Sequence, residues 1–284
     1  MTALVTTPTA HSTMAPPLPP RPLAAARYLR ETGLLIGRSL RMIPRVPERL
    51  SDVTIQPVMF TLLFVYVFGS AIHIPGIRYP DYLLPGLLGQ SVAFGVLGAG
   101  TATSTDFTSG VIDRFKSLPV SRLSVITAQV VSQIIEQILG IAIVVVLGLI
   151  LGWRPAIGFG GALELAGLML LGLSAFTWFG VLLGMLVRNP DGMQGLGFAI
   201  VLPLSFLGGT FVPIAGMKLV PRVIGEWDPL SAIIAAIRHV SQGYPSSGSW
   251  ELDHPVVAMC GWCVLIMVIC IPLALRRFRT TTSA

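Results

Sequence analysis

Five stretches of this chain, 54–77, 82–105, 165–187, 192–217 and 254–275, contain no Asp, Glu, Lys or Arg, and a sixth, 123–153, contains only Glu136. Each is long enough to supply the roughly 20 apolar residues that a helix needs to cross a hydrocarbon core. Six such runs in 284 residues leave too little chain for a separate soluble domain. Charged residues make up 11% of the sequence, against about 25% in an ordinary soluble domain. The fold class expected is therefore all-α and integral to the membrane, with six transmembrane helices.

The net charge is +6, which raises nucleic acid as a partner. The basic residues are not gathered into one patch, however, and nucleic-acid binding is set aside. They fall between the spans: 14 of the 19 Lys and Arg lie in 1–53, 106–122, 188–191 and 276–284. The other five are Arg78, Arg154, Lys218, Arg222 and Arg238. Basic loops favour the cytoplasmic side, so a multi-pass protein of the cell membrane with both termini in the cytoplasm is expected. Those basic edges also suit anionic lipid headgroups.

Residues 1–22 are rich in Thr and Pro and lack an apolar core, and they read as a disordered tail. In 23–50, Arg27, Arg30, Arg38, Arg41 and Arg45 fall within about 80° of arc at helical spacing, opposite Leu29, Ile36, Leu40 and Ile43. Such a helix lies in the membrane interface. Residues 51–279 form the transmembrane domain, with spans near 53–72, 82–105, 123–151, 162–187, 192–211 and 255–275. Pro203 is a candidate break in the fifth. The connection 213–253 contains an apolar run, 229–240, too short to cross as a helix, so a re-entrant or interfacial helix is expected before the last span. Cys260, Cys263 and Cys270 all lie in that span; without a βα context the Cys-x-x-Cys spacing reads as plain lipid- or helix-facing thiols rather than a redox pair.

Gln129, Gln133, Glu136, Gln137 and Gly140 recur on one face of the third span. A polar stripe at membrane depth either lines a wet translocation path or hydrogen-bonds between helices. Thr177, Gly180 and Gly184 in the fourth span have the spacing of a close helix–helix contact. No catalytic set and no metal-ligand cluster stands out, and Glu136 and Glu164 lie at opposite depths, so an enzyme is not expected. There is no G-x-x-x-x-G-K-[ST], hence no P-loop for ATP. A secondary transporter or channel would also explain six spans and Glu136, although no internal repeat supports an inverted-repeat transporter.

Between the second and third spans, Gly110 and Pro119 bracket a short stretch that sets Asp113, Arg114 and Lys116 beside Val111, Phe115 and Leu118. A short amphipathic element held between two spans can transmit a push from a docked soluble partner. This piece, with Tyr82-Leu-Leu-Pro-Gly86, Arg188-Asn-Pro-Asp191, Gly208-Gly-Thr-Phe-Val-Pro213 and Asp228-Pro-Leu230, resembles ABC-2 type transporter permeases, closest to the daunorubicin/doxorubicin-resistance group of actinobacteria. The resemblance covers about 25–279. It implies the six-helix ABC-2 membrane domain with an N-terminal interfacial helix and short re-entrant outer helices. It also implies two permeases, self or paralogue, working with two copies of an ABC ATPase, which bind the ATP and Mg so that this chain needs no cofactor. Gly110, Asp113, Arg114, Phe115, Lys116, Leu118 and Pro119 then correspond to the coupling helix that contacts the ATPase. The implied activity is export of a hydrophobic drug, antibiotic or lipid.

Overall fold

The structure is a computed structural model that describes residues 57–69, 77–109, 122–187, 189–243 and 250–280, with isolated positions at 32–33, 36–37, 55 and 72. The expected coupling segment 110–119, and most of the interfacial helix and tail, lie outside the described residues. The helices are α1 (Pro57–Phe68), α2 (Tyr79–Thr108), α3 (Arg122–Ile150), α4 (Phe159–Leu186), α5 (Pro190–Leu207), α6 (Leu219–Glu226), α7 (Pro229–Gln242), α8 (Trp250–Asp253) and α9 (Pro255–Thr280).

Among the described residues, α2, α3, α4 and α9 are the helices long and apolar enough to cross a membrane. The expected first span, 53–72, is represented by α1, whose 12 residues would rise about 18 Å. It closes in a π-helical turn, Phe64–Phe68, at Gly69. The fifth expected span is α5, with 18 residues, whose opening turn carries Asp191 and Gln194. Asn189 caps it by accepting from the Asp191 N–H at 3.0 Å, and Pro190 takes the first position, where no N–H is needed. Pro203 does not break α5; the helix runs through it to Leu207. Pro203 is exposed on the outer side of α5, and a proline within a transmembrane helix is tolerated where local adjustment re-satisfies the freed backbone groups.

α2 is the central column. It is apolar all round, the pattern of a helix enclosed on every side, and α3, α4, α5 and α7 pack against it. α2 and α4 bury 83% and 67% of their most apolar stretches, whereas α3 and α9 bury 22% each, leaving broad apolar faces outward. The α2–α4 seam is close because of the glycines read from the sequence. A methyl on Gly180 would lie 2.5 Å from the Val96 carbonyl oxygen, and one on Gly184 would strike that of Gly100.

Pro85 lies inside α2, so the Asp81 carbonyl loses its i+4 partner. Gln242, the last residue of α7, donates its side-chain amide to that carbonyl at 2.7 Å. Arg238, one turn earlier, sits 3.6 Å from the centre of the Tyr82 ring and donates to the Tyr82 and Gly209 carbonyls. The Tyr82 hydroxyl donates to the same Gly209 oxygen at 2.8 Å. Gly209 has φ +75°, a conformation that needs glycine, and Gly86 leaves room for the Thr210 backbone. The motifs 82–86 and 208–213, far apart in sequence, are thus packing partners at one end of the bundle.

α7 is nearly encased: Leu230, Ala232, Ile233, Ile234, Ala236 and Ile237 are fully buried against α2, α4 and α9. Ile234 packs on Gly89, ten residues from the start of α2, a depth of about 15 Å along that helix. Asp228 caps α7 by accepting from the Leu230 N–H at 2.9 Å, and Gly243 ends it with φ +61°.

Candidate translocation cavity

A cavity of about 230 Å³ lies among α1, α2, α3 and α5. The face of α2 contributes Gln90, Ser91, Phe94 and Thr101, spaced i, i+1, i+4 and i+11. From α3 come Gln137 and Gly140, from α5 Gln194 and Phe198, and from α1 Phe60. The rings of Phe94 and Phe198 meet edge to face with centroids 6.0 Å apart. The Ser91 and Thr101 hydroxyls donate to the Leu87 and Leu97 carbonyls of their own helix, which leaves their lone pairs available. The Gln90 amide nitrogen is buried with no hydrogen-bond partner. Leaving such a donor unmet costs about 1–3 kcal/mol, so a water or ligand carbonyl that reaches it is favoured.

The α3 stripe divides. Gln137 and Gly140 line the cavity. Gln133 is buried beside it: a methyl on Gly98 of α2 would lie 3.2 Å from Gln133 Oε1 and 3.3 Å from Gln137 Nε2, so both amides would have to give by a few tenths of an ångström. Glu136 and Gln129 are half-buried and outside the lining. Sequence reading did not single out Gln90, Ser91, Thr101 or Gln194. The α2 residues repeat at the same helical spacing that picks out the α3 stripe, so that signal was present. Gln194, in the first turns of α5, has no such pattern.

Away from the cavity, burial raises the Glu251 carboxyl above its ordinary range, and its Oε1 accepts from the Trp262 indole N–H at 3.3 Å.

Residues 30–241 match the ABC-2 type transporter family. The chain belongs to that family. Over 261 residues, 92% of this chain and 90% of the relative, it is 28% identical to the daunorubicin resistance ABC transporter permease of Streptomyces coeruleorubidus. It is also 28% identical to the doxorubicin resistance ABC transporter permease of Mycobacterium tuberculosis, over 81% of this chain and 84% of that one. A putative transport permease of Cyanophora paradoxa is 23% identical over 85% of each chain. This is accordingly a multi-pass membrane permease of the ABC exporter type.

Proposed function

We propose that the chain is the permease subunit of an exporter that moves a hydrophobic drug, antibiotic or lipid out of the cell, driven by ATP hydrolysis in a separate ATPase chain. The observation that carries this reading is the cavity itself, a polar and aromatic hollow in an otherwise apolar bundle. Its phenylalanine rings suit a flat apolar body, while Gln90, Gln137 and Gln194 can meet a few polar substituents. The relatives named for daunorubicin and doxorubicin resistance support a polycyclic substrate of that kind.

At about 230 Å³ the cavity is smaller than the roughly 300–1,000 Å³ of a drug-sized site. A second permease, self or paralogue, would complete it. Two ATPase subunits would hold the ATP and Mg and dock on 110–119, with Phe115 as apolar anchor and Asp113, Arg114 and Lys116 as charged contacts. In this reading there are six spans, with α1 and α5 as the shorter two, both termini are cytoplasmic, and α7 re-enters the membrane from outside.

The test uses inverted membrane vesicles from cells expressing the chain with a candidate ATPase. Uptake of a fluorescent anthracycline should require ATP and the ATPase, and should fall in Gln137→Leu and Gly98→Val at unchanged protein level. Phe115→Ala should reduce co-purification of the ATPase. Uptake that persists without any ATPase and collapses with a protonophore would establish a secondary transporter instead.

A further inference from the structure

A second hollow, of about 440 Å³, lies on the far side of α3, between α3 and α4. Ile138, Ile141, Val145 and Leu149 form one wall at i, i+3, i+7 and i+11, and Leu165 and Met169 stand in the other. The floor is Leu88 of α2, and Trp153 and Pro155 close the end nearest the α3–α4 turn. Every one of these side chains is apolar apart from the indole nitrogen. From Ile138 to Leu149 the groove runs eleven residues, about 16 Å of helix, close to the ~15 Å depth of one leaflet of a ~30 Å hydrocarbon core. It occupies only the half of α3 next to the turn.

The mouth carries a positive charge. Arg154 is exposed and stands between the two residues that close the groove. Its guanidinium donates to the Leu149 and Trp153 carbonyls, and no carboxylate among the described residues pairs with it. Arg78, at the same end, is compensated by Asp81 at 2.8 Å. Glu164, the acid nearest in sequence on α4, is about 100° and 140° around the helix from Leu165 and Met169 and is not among the groove's lining residues.

We propose that this groove is a binding site for an anionic phospholipid, one acyl chain lying between α3 and α4 and the phosphate at Arg154. A basic residue over an apolar inter-helix slot is the chemistry that recognises such a headgroup and tail together. Both parts are needed. The slot alone would hold any chain, and the arginine alone would hold only a loosely associated anion. The proposed topology places the lipid in the outer leaflet. Binding itself depends neither on that orientation nor on the transport reading, since it needs no ATPase and no substrate.

The test is native mass spectrometry of the permease released from nanodiscs of phosphatidylglycerol and phosphatidylcholine. The wild type should retain phosphatidylglycerol through detergent exchange. Ala166→Trp, which fills the groove, should lose it, while Leu163→Trp, outside the lining, should keep it. Arg154→Gln should retain lipid but lose about fivefold of the preference for phosphatidylglycerol, the effect of one basic residue near a charged surface, and Arg154→Lys should preserve that preference. The Arg154 variants leave the helices untouched, so they decide the matter even if Ala166→Trp does not fold. Equal retention in folded Ala166→Trp, or unchanged preference in Arg154→Gln, would overturn the proposal. So would a disulfide between two copies through Leu170→Cys, which would show that a second permease covers the groove.

Discussion

Asp228 begins α7 with one carboxylate oxygen satisfied by the Leu230 N–H and the other buried without a partner. Asp228→Leu removes the capping oxygen and should lower the Tm in detergent, at a cost of about 0.5–2 kcal/mol, whereas Asp228→Asn keeps that oxygen and should cost less; equal losses would mean that the cap contributes nothing. Gln242 is the second residue with a single clear duty. Gln242→Leu strands the Asp81 carbonyl and should cost about 1–3 kcal/mol. Combining it with Pro85→Ala supplies the missing helical N–H, so the cost of the glutamine should shrink in the double variant. Strict additivity would mean that the two do not share that carbonyl.

At the level of helices, the tightest contact is the α2–α4 seam. Gly184→Leu would drive a side chain into the Gly100 carbonyl and to 2.9 Å from Thr103 Cβ, whereas Gly167 on the same helix faces open space. Overpacking of this kind costs about 1–3 kcal/mol, so Gly184→Leu should lower the Tm while Gly167→Leu leaves it near the wild-type value. The seam was legible in the sequence because small residues at helical spacing have one common use between membrane helices. The central place of α2 was not, because a helix apolar on every side has no periodicity to say what surrounds it. The same gap hid Gln90 and Thr101: their spacing marks one face, but only the packing of α1, α3 and α5 makes that face a cavity wall. The motifs 82–86 and 208–213 were readable as markers of the family. That Tyr82 and Gly209 touch is a long-range fact no local pattern carries.

For the molecule as a whole, the question that orders the rest is which end of the bundle faces outward. The 14 basic residues outside the five at the other end argue for cytoplasmic termini. In the proposed orientation, the locked end, where Arg238, Gln242 and the Gly209 turn hold α7 to α2, faces outside. α2 has 30 residues and a length of about 45 Å, so it overhangs a ~30 Å hydrocarbon core by about 7 Å at each side if centred. Ile234, about 15 Å along it, would then stand some 8 Å inside the hydrocarbon. A buried helix of 14 residues at that depth is tolerated because protein, not lipid, surrounds it. In a background without the three native cysteines, Ser246→Cys should react with an impermeant maleimide added outside intact cells. Ser117→Cys should react only after the membrane is opened, and Ile234→Cys should resist labelling under both conditions. The reverse pattern at Ser246 and Ser117 would invert the bundle, moving the lipid groove to the inner leaflet and the proposed ATPase contact to the wrong side of the membrane. Labelling of Ile234→Cys from outside would place α7 in an aqueous vestibule, and its apolar residues would then owe their burial to the neighbouring helices alone.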